Sequence, residues 1–406
     1  RYLGPGLVSG VSDDDPSGIA TYSQAGAELG YAACWIMLLC YPMMVASQEI
    51  SARIGRATGS GVIGAIRSHY PRWVLVGIVG LVAFANVVNL GADLGAMADV
   101  LGLLIGGPRK LYVVAFGGSC AALLLVLRYR RYVQFVQWAA LSLLAYFFTA
   151  FSVRIPWGSV LYHTVVPTLP LDRASIAIAV AILGTTISPY LFVWQSSLEG
   201  DRMRSLPRAA RAPDPDDARR IRIDTHAGMA VAGLVAYAVI VTAASTLHAA
   251  GVANIQTSAE AATALRPAAG ALADAVFSLG IVSTGLLAVP MLAGSAAYAF
   301  AEGRGAPAGL ARAPAEAPAF HGFILAAMAL GTALNFIGVD PIRALLWSAV
   351  INGLLAVPVL VLIILLAVRT DIMGGLALSR RLAALGWLTT CVMAVAAVAL
   401  LATLEQ

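Results

Sequence analysis

Charge is what this sequence has least of: Asp, Glu, Lys and Arg make up 12% of its 406 residues. An ordinary water-soluble domain carries about twice that share, and here 60% of residues are hydrophobic, with a mean hydropathy of +0.83. The solvent for most of the chain is therefore lipid. Cysteine is scarce as well, and Cys34, Cys40, Cys120 and Cys391 all fall in apolar runs without metal-ligand spacing, so they read as small core residues with no redox role. The net charge of +5 comes from basic residues placed between apolar runs, which leaves no nucleic-acid footprint. Short segments of alternating polarity are missing, and that excludes a transmembrane β-barrel. No His/Glu zinc motif and no Ser/His pair lies in the apolar runs, so an intramembrane enzyme is the weakest of the functional readings. The start, Arg1-Tyr-Leu-Gly-Pro-Gly, lacks the features of a secretory signal, and the first helix is expected to stay in the mature protein.

What is present is a series of long apolar segments at 4–27, 31–52, 73–104, 111–127, 132–153, 174–199, 225–249, 268–301, 319–337, 341–368 and 382–404. A bilayer core about 30 Å thick needs about 20 apolar residues per helix, so these eleven segments predict an all-α polytopic protein forming one membrane domain over 1–406. Distributing Lys and Arg over alternate sides of this arrangement puts twenty on one side and six on the other. The positive-inside rule then places the N-terminus in the cytoplasm and the C-terminus outside, in the plasma (inner) membrane. The polar stretch 200–224 reads as a cytoplasmic loop and 303–318 as a second linker.

The first and sixth segments are each interrupted by a polar, proline-containing break: Ser12-Asp13-Asp14-Asp15-Pro16-Ser17-Gly18 and Gly184-Thr185-Thr186-Ile187-Ser188-Pro189-Tyr190. Proline removes a backbone donor and clashes with the preceding turn, while glycine tolerates unwinding, so the helices should come apart at Pro16 and Pro189. Unwound backbone survives at membrane depth only where it is buried in protein or lines a cavity. Each break opens a block of five spans, about 1–153 and 174–368, with 382–404 as an extra helix. An odd number of spans turns the second block upside down, which makes an inverted repeat whose breaks meet at the midplane and mark a transporter's binding site. Three successive carboxylates there cost several kcal/mol unless they meet a cation, a proton or water. Asp15 is the principal candidate ligand and Asp14 the next; Asp13 faces a vestibule or acts as a water-exposed cap. Oxygen donors of this kind suit a hard cation.

Gly4-Pro-Gly, Asp15-Pro16-Ser17-Gly18-Ile-Ala-Thr, Ser188-Pro189-Tyr190 and Asp340-Pro-Ile-Arg-Ala-Leu-Leu-Trp-Ser-Ala-Val-Ile-Asn352-Gly resemble the NRAMP family of metal-ion transporters. The resemblance implies the leucine-transporter-like 5+5 fold and a divalent metal held between spans 1 and 6, with Ser17, Gly18, Thr185, Ser188 and Tyr190 around Asp15. Two departures stand out. Gly18 takes the place of the family's Asn, and Ser188 and Tyr190 take the places of its Met and His. Losing the soft sulfur favours Mg²⁺ or Mn²⁺, including a hydrated ion, as in the NRAMP-related magnesium transporters. Asp93 matches the family's intramembrane Asp, but Ala96 stands where its Glu is expected and the arginines of span 9 are missing between Phe320 and Phe336. The five histidines, His69, His163, His226, His248 and His321, read as solvated groups at loops and span ends, so Asp93 is left as the candidate proton carrier. Asn89, Thr21, Gln24, Gln195 and Asn352 are candidates for an outer shell or for interhelical bridges. Uptake of a divalent metal is the leading functional reading; a larger metal complex or trivalent ion, and an organic solute, are the alternatives. The implied partners are the bilayer and the transported ion, with no cofactor and no nucleic acid.

Overall fold

The computed structural model describes residues 4–126, 144–170, 172–207 and 214–404. Arg1, Arg128, Arg130, Arg131, Arg208 and Arg211, together with residues 132–143 of the expected fifth span, lie outside the described residues. Within them every element is helical.

The first segment comes apart as expected, into α1 (Pro5–Val11) and α2 (Pro16–Leu29). The second span is α3 (Cys34–Thr58), followed by a short helix α4 (Val62–His69) and then α5 (Arg72–Ile105) and α6 (Arg109–Val126). The fifth expected span is described only through α7 (Leu144–Ser152), after which α8 (Trp157–Val165) follows. The sixth segment is also broken, into α9 (Arg173–Thr186) and α10 (Pro189–Ser205). The remaining long helices are α11 (Pro215–Thr246), α12 (Ala273–Arg304), α13 (Pro318–Leu334), α14 (Pro341–Ala367) and α15 (Arg380–Leu404). Among the described residues, seven helical stretches have the length and apolarity to cross a bilayer; Pro16–Thr58 carries two of the expected segments as one, and Pro318–Leu334 is shorter.

Two readings of the sequence need correction. The stretch 200–224 is mostly helix, because α10 runs on to Ser205 and α11 starts at Pro215. Its polarity is a capping signal: Asp214 caps α11 through the Asp216 amide, Pro215 occupies the first turn, and Asp217 returns a bond to the Asp214 amide. The solvated reading fails for His321, which is buried near the start of α13 with its Nδ1 3.0 Å from the Ala317 carbonyl oxygen. The short helices α4 and α8 were not visible as apolar runs.

The packing pairs the two broken helices with each other's neighbours. α1 and α2 lie along α11, α10 lies along α3, and α5 runs along α12. α9 packs on α14 and also on α2, so both breaks reach the centre of the bundle. α1 sits unusually close to α11: a Cβ on Gly10 would fall 2.2 Å from the Gly228 carbonyl oxygen, so only glycine fits there.

Candidate metal-transport site

At the first break the backbone leaves helix over Ser12–Asp15, and Asp15 restarts it as the N-cap of α2. Its Oδ1 accepts from the Gly18 amide at 2.6 Å, as a capping carboxylate should, and its Oδ2 accepts from Asn89 Nδ2 on α5 at 2.9 Å. Asp13, Asp14 and Asp15 are 1, 3 and 2% exposed, so none reaches water. The exposed-cap reading of Asp13 therefore does not hold. Both oxygens of Asp13 and one of Asp14 have no hydrogen-bond partner. Asp93 on α5 is fully buried, and neither of its oxygens has a hydrogen-bond partner. Thr21 Oγ1 and the Tyr22 hydroxyl, one turn into α2, are buried and unpaired too.

The second break is chemically quieter. Ser188 turns its hydroxyl back onto its own helix end, donating to the Gly184 and Thr185 carbonyls at 2.5 and 3.1 Å. Tyr190 reaches across to the first break, where its hydroxyl donates to the Ser12 carbonyl at 3.0 Å, while its own carbonyl accepts from Ser295 on α12 at 2.9 Å. Gly18 faces this side: a Cβ there would lie 3.3 Å from Thr185 Oγ1, from the Asp13 carbonyl oxygen and from Tyr22 Cε2. The structure thus brings Asp15, Gly18, Thr185, Tyr190, Asn89 and Asp93 around one centre. It assigns other tasks to some candidates. Gln24 is tied to the 251–262 loop, donating to the Ala253 carbonyl at 3.2 Å and accepting from the Ile255 amide at 2.9 Å. Gln195 donates to Thr225 Oγ1 on α11 at 3.0 Å. Asn352 is buried with an unpaired Oδ1 on α14.

The centre is closed at both ends. On the α1 side Asp224 accepts from the Gly6 amide at 2.7 Å, and buried or part-buried pairs Arg56–Asp217 and Arg220–Glu199, each 2.7 Å, tie α3 and α10 to α11. On the other side the loop after α11 is held by Gln24, by His248 on the Ala27 carbonyl at 2.8 Å, and by Ser258 on Asp99 at 2.5 Å. Among the described residues no three His, Cys, Asp or Glu side chains converge closely enough to chelate a metal without help. Ser348 was missed by the sequence reading. Its hydroxyl lies 2.8 Å from Asn89 Oδ1 and 3.1 Å from Ser17 Oγ, partners on two other helices far away in the chain.

The chain matches the family model described as "Natural resistance-associated macrophage protein-like" over residues 6–403. It belongs to the Nramp family. Curated relatives of this Nramp chain include the divalent metal cation transporter MntH of Acidiphilium cryptum, 31% identical over 93% of this chain and 84% of the relative. The protein of the same name from Deinococcus radiodurans is 29% identical over 95% of this chain and 86% of its own. Among solved structures, the manganese transporter of Eremococcus coleocola superposes with a TM-score of 0.83 at 15% identity, covering 99% of this chain and 86% of that one. MhsT in complex with L-phenylalanine superposes at 0.64 and 12% identity over 98% of both chains, a likeness of fold alone. This Nramp protein is a multi-pass membrane protein with the fold shared by these transporters, and its relatives are named as transporters, not enzymes.

Proposed function

We propose that the chain carries divalent metal cations into the cytoplasm by alternating access, with the cargo resting between Asp15 and the second break. One observation carries this reading. Five carboxylate oxygens, from Asp13, Asp14 and Asp93, are buried beside Asp15 without a hydrogen-bond donor. A buried carboxylate without a partner is costly by several kcal/mol, and a transient cation supplies what the protein does not. The names of the MntH relatives and of the manganese transporter of Eremococcus coleocola point the same way.

The donor set favours Mg²⁺ or Mn²⁺. Carboxylates, carbonyls and hydroxyls are hard ligands, and Ser188 and Tyr190 bring no sulfur or imidazole to the second break. Among the described residues no three His, Cys, Asp or Glu side chains form a ready-made chelate, which suits an ion that keeps part of its water shell, as Mg²⁺ does. In this reading Asp15 is the direct ligand, Asp14 and Asp13 attract and neutralise, and Thr185, Ser17, Gly18 and Tyr190 shape the space. Proton coupling on the family pattern is not part of it, since Ala96 replaces the expected Glu.

The pairing of α2 with α11 and of α10 with α3 is the exchange expected of two units, about 1–153 and 174–368, related by an inverted repeat. The arginine distribution orients the N-terminus to the cytoplasm and the C-terminus outside, so the end tied by Arg56–Asp217 and Arg220–Glu199 is the inner gate. Uptake of Mg²⁺, Mn²⁺, Ca²⁺ and Fe²⁺ into liposomes holding the purified protein tests this. Mg²⁺ and Mn²⁺ should enter, and Asp15→Ala should reduce entry at least about a hundredfold, as expected for removing a charged ligand from a buried site. Equal uptake by the variant would overturn the reading.

A further inference from the structure

The buried hydroxyls on α14 and α2 have too few protons to satisfy every oxygen around them, and the way they share them fixes the orientation of a side chain on Asp15. Asn89 contacts Asp15 Oδ2 at 2.9 Å with one end of its amide and Ser348 Oγ at 2.8 Å with the other. If its oxygen faced Asp15, two acceptors would meet in a site 0–2% exposed, so the nitrogen must point there and Oδ1 must find a donor elsewhere. Ser348 is the donor that faces Oδ1. Its hydroxyl has a single proton and a competing acceptor, the Leu345 carbonyl at 2.7 Å. Ser17 also donates to that carbonyl, at 2.9 Å, so the Leu345 oxygen keeps a donor when the Ser348 proton goes to Asn89.

We infer that Ser348 is a positioning residue: through Asn89 it holds the Asp15 carboxylate in the orientation that receives the cation, and it ties the first break to α14. The relay runs from Ser348 to Asn89 to Asp15, with the Gly18 amide fixing the other carboxylate oxygen at 2.6 Å. Three helices, α2, α5 and α14, are joined through one ligand. A serine that merely bonds back to its own helix would do none of this, and the Leu345 contact is such a bond. The inference rests on the proposed role of Asp15.

The test is a double-mutant cycle read as Mn²⁺ uptake into liposomes by the full chain. Ser348→Ala should raise KM for Mn²⁺ about tenfold with the maximal rate changed less than about threefold, the order expected from losing one hydrogen bond near an ionised group. Ser348→Thr, which keeps the hydroxyl, should restore KM to within about threefold of the parent. Asn89→Ala should raise KM similarly, and the double variant should be no worse than Asn89→Ala, because both changes break the same relay. Additive losses, or a Ser348→Ala KM equal to that of the parent, would overturn the inference. If Ser348→Ala fails to fold, Ser348→Thr against Ser348→Cys supplies the same contrast, a weaker donor raising KM. Loss of uptake in Asp15→Ala alongside a silent Ser348 would sink the relay and leave the transport reading standing, whereas no Mn²⁺ uptake by the parent would sink both.

Discussion

The two helix breaks occupy matching places in the fold and are built from opposite chemistry. At the first, Asp13 and Asp14 are buried with unpaired oxygens and only Asp15 is held. At the second, Ser188 is satisfied by its own helix end and Tyr190 by the Ser12 carbonyl. The first break stores an unmet demand for positive charge; the second is a finished surface that closes against it. Proline opens both helices, but only one of them is left electrostatically incomplete, and that asymmetry separates attraction of the cargo from the shape of its seat.

The comparison breaks most visibly at Asp13. Asp13→Asn replaces a buried carboxyl group whose two oxygens have no hydrogen-bond partner in the metal-free protein, so the metal-free variant should melt about 2 °C higher or more, while its KM for Mn²⁺ rises about tenfold. A thermal scan and an uptake assay on the same preparation check both halves. A lower melting temperature together with normal uptake would mean that Asp13 already has a structural partner. A smaller effect is expected at the second break. Tyr190→Phe loses one neutral hydrogen bond to the Ser12 carbonyl, worth about 1 kcal/mol, and should change KM less than about threefold. If it matched the loss in Asp13→Asn, the division between the two breaks would be wrong.

The breaks were legible because proline and consecutive carboxylates are improbable within apolar runs, whatever surrounds them. The helix at 215–224 was not, since hydropathy reads its acids as loop and only the order Asp214-Pro215-Asp216-Asp217 reveals a cap. The short α4 and α8 escaped for a related reason, being too brief to stand out as apolar segments. Asp15 could be singled out from sequence, as could Asn89 and Asp93 by their spacing on one helix. Ser348 could not, because its meaning depends on two other helices, 259 residues from Asn89 and 331 from Ser17 in the chain. Gln24 shows the converse: a polar residue beside the break that serves the outer loop instead.

The most direct measurement is a crystal structure of the full chain soaked in Mn²⁺, with anomalous difference density locating the ion. The account predicts a peak between the two breaks, within direct or single-water reach of Asp15, and its loss in Asp15→Ala. A peak elsewhere in the bundle, with none beside Asp15, would contradict it.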